Sequence, residues 1–151
     1  MTTSSIFVTH NAEIAHRLIL LPGKCERIHG HSLQITLTIF GEIDGNGILA
    51  GLDYGTVKKL FRQYIDENYD HHLHLNESDQ WAKPIETVAA YEAATGEVTL
   101  PGLVTHPGDP TTENISKWIC EWAWEQLGNH VDGIRVTISE TNTNGAGFEL
   151  P

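Results

Sequence analysis

Positive charge is scarce in this chain. Nine lysines and arginines stand against twenty aspartates and glutamates, a formal charge of −11 with histidine neutral. A nucleic-acid binder wants a basic surface, so this balance argues against that class. It also means that an anionic substrate would need cations gathered locally. Cysteine is nearly as scarce, with only Cys25 and Cys120. In a reducing compartment these read as two free thiols rather than a staple. A chain of 151 residues needs no staple, because a domain of that size can bury roughly 70% of its unfolded surface. No apolar run approaches the length of a membrane span. Met1-Thr2-Thr3-Ser4-Ser5 lacks the basic and apolar regions of a signal peptide. The expectation is a cytoplasmic protein without membrane or nucleic-acid partners, folded as one domain over residues 1–151.

Histidine, in contrast, is abundant. There are nine, and five fall in two short clusters, His29/His31 and His71/His72/His74. The first cluster closes the run Lys24-Cys25-Glu26-Arg27-Ile28-His29-Gly30-His31 and opens a segment of strict alternation. Leu33, Ile35, Leu37 and Ile39 face one way; Ser32, Gln34, Thr36 and Thr38 face the other. That pattern predicts a half-buried antiparallel strand. An extended stretch beginning at Ile6-Phe7-Val8 runs towards His16. Asp53 is a plausible N-cap for a helix with Val57, Leu60, Phe61, Tyr64 and Ile65 on one face, ending near Asn68. Residues 77–109 are irregular, with a short helix predicted from Pro84 to Ala94 and turn residues at Gly96, Pro101 and Gly102. This segment reads as an excursion. Thr111 or Thr112 caps a second main helix, with Ile115, Trp118, Ile119, Trp122 and Leu127 as its apolar stripe and Gly128 at its end. Ile134, Val136 and Ile138 mark another strand, and Gly145-Ala146-Gly147-Phe148 leads into a last one.

Two residues apart on a strand, His29 and His31 project to the same face and can share a metal ion. His16 supplies a third imidazole if residues 6–16 pair with 31–40. The bland alternative is a tight turn carrying surface histidines. Cys25 is placed either as a fourth ligand closing a structural site or as a base or nucleophile activated by a nearby histidine; spacing alone leaves both open. Its neighbours Lys24, Arg27 and His29 would favour a thiolate. Cys120, in an apolar helical run, reads as a small core residue. Asp70 beside His71 can fix the tautomer and raise the basicity of the imidazole. A polar helix C-terminus explains the same pair without chemistry. Glu140 shares the parity of Ile134, Val136 and Ile138, so it points to the buried face and needs a partner there, either a ligand with several N–H donors or a structural cation.

Taken in order, Ala15-His16-Arg17-Leu18, Gly23-Lys24-Cys25, His29-Gly30-His31, Asp70-His71, Pro110-Thr111-Thr112-Glu113-Asn114 and Glu140-Thr141 resemble the 6-pyruvoyl-tetrahydropterin synthase / 6-carboxytetrahydropterin synthase family over nearly the whole chain. The resemblance implies an α+β tunnelling fold: a four-stranded antiparallel sheet with two helices on one face. In the family, sheets of neighbouring copies join into a β-barrel and two trimers stack into a homohexamer with active sites at the interfaces. It implies Zn2+ on His16, His29 and His31. Cys25 would be the proton acceptor, with Asp70, His71 and Glu140 as catalytic partners. Glu140 would anchor a pterin ring near Thr111 and Thr112, and Lys24 and Arg27 are candidates for the triphosphate.

Three residues separate Cys25 from His29. That gap resembles the carboxytetrahydropterin synthases of queuosine and deazapurine biosynthesis, whereas the pyruvoyl enzymes of animals have a longer one. An aldolase-like branch carries glutamate in place of the cysteine. The implied reaction converts 7,8-dihydroneopterin triphosphate to 6-carboxy-5,6,7,8-tetrahydropterin, acetaldehyde and triphosphate. The alternatives are the pyruvoyl synthase reaction and a non-catalytic zinc- or pterin-binding protein. The chain departs from the family pattern Asp-His-x-x-Leu-Asn by one extra residue before Leu75-Asn76, which makes His72 a competitor of His71. Adjacency to the carboxylate favours His71.

Overall fold

A computed structural model describes residues 4–96 and 102–151. The N-terminal residues 1–3 and residues 97–101, including the turn predicted at Pro101, lie outside the described residues. The elements run β1 (Ser4–His16), β2 (His29–Gly41), α1 (Tyr54–Asn68), β3 (Leu73–Asn76), α2 (Ala82–Thr95), β4 (Leu103–His106), α3 (Thr112–Leu127), β5 (Gly133–Ser139) and β6 (Gly145–Leu150).

The two long strands form the frame. β1 and β2 are antiparallel along their whole length, with Val8 opposite Leu37 and His16 opposite His29. The alternation of β2 sends Leu33, Ile35, Leu37 and Ile39 inward, where they meet Ile134, Val136 and Ile138 of β5. Helices α1 and α3 cover that face through Val57, Phe61 and Ile65 and through Ile115, Ile119 and Cys120. Each such side chain contributes roughly 1.5–3 kcal/mol on full burial. The caps follow the sequence: Asp53 accepts from the Thr56 N–H at 2.9 Å, and Thr111 accepts from Asn114 N–H at 3.2 Å. Cys120 is fully buried, as expected of a core thiol.

The predicted four-stranded antiparallel sheet is present as β1-β2-β5-β6, but it is only part of the whole. Among the described residues the sheet has six strands, in the order β4-β3-β1-β2-β5-β6, and there are three helices. β3 and β4 add parallel to β1. β3 lies between two neighbours, and His74, Leu75 and Asn76 are all buried. The Leu-His-Leu-Asn alternation suggests one solvated face, but on this interior parallel strand neither face is open to solvent, so the pattern misreports its burial. The 77–109 excursion thus supplies α2 and β4. Helix α2 starts at Ala82 rather than at Pro84, which falls in the first turn where its missing N–H breaks no helical bond.

Candidate functional site

The site begins at the end of the β1–β2 pair. His16 faces inward on β1, opposite His29, and His31 is the next inward residue of β2. Gly30 between them allows close approach: a methyl group there would sit 3.0 Å from the Ile14 carbonyl oxygen. One ligand nitrogen from each of His16, His29 and His31 lies within 4.8 Å of the others. The sequence-level geometry therefore holds for all three, and Cys25 is not among the atoms that gather there.

Hydrogen bonds fix the tautomers. His16 Nδ1 lies 2.7 Å from the Pro110 carbonyl oxygen and His29 Nδ1 lies 2.7 Å from that of Arg27. A carbonyl only accepts, so both Nδ1 atoms carry the proton and both Nε2 atoms present lone pairs. Those two Nε2 atoms are 3.1 Å apart. Two facing lone pairs call for a cation between them. His31 Nε2 is 2.9 Å from Glu140 Oε1 but off the hydrogen-bond direction, which leaves this buried nitrogen without a hydrogen-bond partner among the described residues. Burial holds His16 below the ordinary imidazole pKa; the Pro110 carbonyl acts the other way, and His29 and His31 reinforce the lowering. A neutral, oriented imidazole set of this kind fits a divalent metal.

Beside the histidines lies a cleft of about 560 Å³, lined by His16, Cys25, Thr111, Thr112, Asn114 and Glu140 among others. Cys25 sits in a short 3₁₀ turn, Lys24–Glu26, whose Gly23 N–H donates to Glu26 Oε1. Glu140 is half-buried just beyond β5, and its Oε2 accepts from the Thr112 hydroxyl. This partner is a hydroxyl, neither the N–H-bearing ligand nor the structural cation that parity suggested. The pair leaves Glu140 Oε1 turned towards His31.

The Asp-His pair is elsewhere. His71 Nδ1 is 2.7 Å from Asp70 Oδ2, whereas His72 Nδ1 bonds the Asp70 backbone carbonyl. Of the two candidates, His71 is the one on the carboxylate. It adopts φ 60, a left-handed conformation, and its side chain is 79% exposed. It does not line the Cys25 cleft within one chain. Burial pushes the Asp70 carboxyl up, but the Glu13 N–H, His71 and His10 outweigh it and hold it below its ordinary value. Lys24 and Arg27 are exposed and likewise outside the cleft lining.

Several residues to which sequence reasoning assigned no role are held by long-range contacts around the site. Asp109 is buried, accepts from Leu20 N–H at 2.7 Å and from Asn76 Nδ2 at 2.9 Å, and its carbonyl accepts from Asn114 Nδ2. Arg17 pairs with buried Asp79 at 3.1 Å and lies over the Trp81 ring. His74 and His106 form a buried pair at 2.9 Å, with the His106 ring stacked on Trp118. Their partners lie far along the chain, so the sequence carried no sign of their burial.

The family model described as 6-pyruvoyl tetrahydropterin synthase matches residues 5–150. A 6-carboxy-5,6,7,8-tetrahydropterin synthase of Rickettsia conorii is 31% identical over 105 residues, 69% of this chain and 68% of the relative. Another of that name, from Bacillus subtilis, is 32% identical over 74 residues, 45% of this chain and 47% of the relative. Among solved structures, an uncharacterised protein from Wolinella succinogenes superposes with TM-score 0.77 at 19% identity, covering 98% of both chains. The 6-pyruvoyl tetrahydropterin synthase of Plasmodium falciparum does so with TM-score 0.73 at 16% identity, covering 99% of both. These likenesses show a shared α+β fold.

Proposed function

The chain belongs to the 6-pyruvoyl tetrahydropterin synthase family of enzymes, and on that premise we propose that it is a zinc-dependent carbon–carbon lyase. Its substrate is 7,8-dihydroneopterin triphosphate. With one water entering for balance, the products are 6-carboxy-5,6,7,8-tetrahydropterin, acetaldehyde and triphosphate, the step used in queuosine and 7-deazapurine biosynthesis. The observation that carries this reading is the separation of Cys25 from the histidine cluster: it lines the same cleft but lies outside the ligand set. A closed four-ligand structural site would have included it. The short gap between Cys25 and His29 and the names of the Rickettsia and Bacillus relatives favour the carboxy over the pyruvoyl product.

His16, His29 and His31 would hold Zn2+, which supplies a Lewis acid that lowers the pKa of a bound hydroxyl. The remaining work falls to the chain's own groups. Glu140, oriented by the Thr112 hydroxyl, accepts N–H bonds from the pterin ring and holds it in register with Cys25. Thr111 and Thr112 line the ring's edge. The Cys25 thiolate carries a proton between side chain and ring, a task worth roughly 10²–10⁴-fold for a positioned base. His71, oriented by Asp70, serves as the relay. Because its imidazole is exposed and away from the cleft of its own chain, it acts at the Cys25 of a neighbouring copy in a homohexamer built as a dimer of trimers. Lys24 and Arg27 meet the triphosphate. The protein works in the cytoplasm as one domain spanning residues 1–151.

The experiment is to incubate purified protein with the pterin triphosphate and identify products by mass. Acetaldehyde with the carboxy pterin supports the reading. A pyruvoyl pterin without acetaldehyde assigns the sister reaction, and zinc binding without turnover assigns a binding protein. Cys25→Ala is expected to keep zinc and lose turnover; loss of zinc would make Cys25 a ligand.

A further inference from the structure

The loop between β1 and β2 carries Cys25, and its hydrogen bonds determine where the thiol sits. At its base the Leu18 N–H donates to the Cys25 carbonyl at 2.8 Å, and Leu18 is buried. Beyond Leu18 the loop turns outward: Leu20 and Leu21 are exposed. Across the cleft, Leu20 N–H donates to Asp109 Oδ2 at 2.7 Å. The other carboxylate oxygen, Oδ1, accepts from Asn76 Nδ2 at 2.9 Å. Asn76 is itself fixed, because its Oδ1 accepts from Ser78 N–H at 2.9 Å. A backbone N–H only donates and a carboxylate only accepts, so the orientation of the Asn76 amide is unambiguous.

The same short segment reaches the other parts of the site. Pro110, next to Asp109, offers the carbonyl that sets the His16 tautomer, and Thr112 holds Glu140. The Asp109 carbonyl accepts both Thr111 N–H and Asn114 Nδ2, which ties this segment to the first turn of α3. A movement of Asp109 would therefore be felt at the thiol loop. Buried carboxylates with two N–H donors are strongly held acceptors, and neither oxygen can be replaced by a donor without leaving an N–H facing an N–H.

We propose that Asp109 is a positioning residue for Cys25: by accepting Leu20 N–H while braced by Asn76, it holds the thiol-bearing loop at the distance from the cleft that proton transfer requires. This rests on the reading of Cys25 as the proton carrier. Asp109 lines the edge of the cleft, but both its carboxylate oxygens are taken by Leu20 N–H and Asn76 Nδ2, so its part is to hold the loop rather than to bind substrate or metal.

The test uses donor–acceptor polarity. In Asp109→Asn one oxygen becomes an NH₂ group, so either Leu20 or Asn76 faces a donor. In the exchanged pair, Asn76→Asp with Asp109→Asn, the new amide donates to the new carboxylate, its oxygen accepts Leu20 N–H, and the second carboxylate oxygen still accepts Ser78 N–H. Net charge is unchanged. Three readouts are taken on full-length protein: kcat and KM for the pterin triphosphate, zinc content, and the rate of Cys25 alkylation by iodoacetamide followed by peptide mass. Asp109→Asn is expected to lower kcat roughly 10- to 100-fold with zinc retained, as a misplacement of about 1 Å does. Cys25 alkylation should accelerate severalfold. The exchanged pair should return both values to near wild type. Unchanged alkylation in Asp109→Asn overturns the proposal, as does an exchanged pair that folds and binds zinc yet alkylates like the single variant. If wild-type protein shows no turnover, the assigned reaction fails, while the alkylation comparison still decides the role of Asp109.

Discussion

The Nε2 atoms of His16 and His29 face each other at 3.1 Å while each ring gives its Nδ1 proton to a backbone carbonyl. Neither ring can relieve that opposition by changing tautomer without breaking a bond of 2.7 Å to Pro110 or Arg27. A bound cation removes it, and so does a shared proton. The two therefore compete, and metal affinity should fall as pH is lowered, with His16, held below the ordinary imidazole value by burial, protonating at the lower end of that fall. Dialysis against a chelator is expected to abolish turnover and lower the melting temperature, and Zn2+ to restore both. Inductively coupled plasma measurement of bound metal between pH 5 and pH 8 checks the direction. Metal retention that is flat across that range would count against a three-imidazole site.

Gly30 bears on the same cluster by a different route. Its outward side faces the Ile14 carbonyl, and a methyl group there would lie at 3.0 Å. Gly30→Ala gains strand propensity, worth about 0.5–1 kcal/mol, and loses a comparable amount by pushing β1 from β2. Global stability should thus change by less than about 1 kcal/mol. Metal affinity should fall by roughly tenfold, because a shift between Ile14 and His31 misaligns the ligands. Chemical denaturation together with a competitive zinc titration separates the two quantities.

The parts of the molecule with a polar and an apolar face were legible in the sequence. β2, β5, α1 and α3 each bury one side, so period and parity predicted them. The same parity placed Glu140 inward and His29 and His31 on one face. β3 and β4 were missed because each is only four residues long, and because the Leu73-His74-Leu75-Asn76 alternation reads as a half-exposed strand although His74 and Asn76 are buried. What stabilises those polar residues lies far along the chain, His106 for His74 and Asp109 for Asn76. A pairing over about thirty residues leaves no local trace. Pro110 was noted for its place in a motif, yet its use is a backbone carbonyl, which no side-chain pattern reports.

The buried pair His74 and His106 makes acid stability a readout of β3 and β4. His74 Nε2–H donates to the Tyr69 carbonyl at 3.2 Å, so its Nδ1 accepts from His106 Nε2–H. Burial lowers His74 to a pKa of about 3, with His106 and His72 adding to the effect, and burial lowers His106 to about 4. Both are depressed bases. Between their folded values and the unfolded value of about 6.5, the unfolded chain binds the protons and the native one does not. Stability is therefore full above about pH 6.5 and declines as pH falls towards about 4 for His106 and about 3 for His74. Metal-free protein should show a urea midpoint that drops steadily from pH 7 to pH 5. Replacing both, His74→Leu with His106→Phe, should flatten that slope while the phenyl ring keeps the stack on Trp118. An equally steep slope in the double variant would assign the acid sensitivity to other groups.

His71 sits where one chain has no use for it. Its ring is exposed, it accepts a left-handed backbone, and its Nδ1 is held by Asp70, whose other oxygen accepts Glu13 N–H at 2.8 Å. A non-glycine residue in that region costs of the order of 1 kcal/mol, so the chain holds the imidazole in a fixed outward pose at some expense. Outward pose and distance from Cys25 are reconciled if a second copy brings its cleft to His71. Cys25→Ala and His71→Asn, each inactive alone, are then expected to recover activity when co-refolded, because mixed oligomers contain some sites with both wild-type groups. Neither variant should change zinc content. Mixing without refolding should give no recovery if copies do not exchange, which serves as the control. Should the co-refolded mixture stay inactive while mass photometry shows mixed oligomers, His71 is not the relay for a neighbouring thiol.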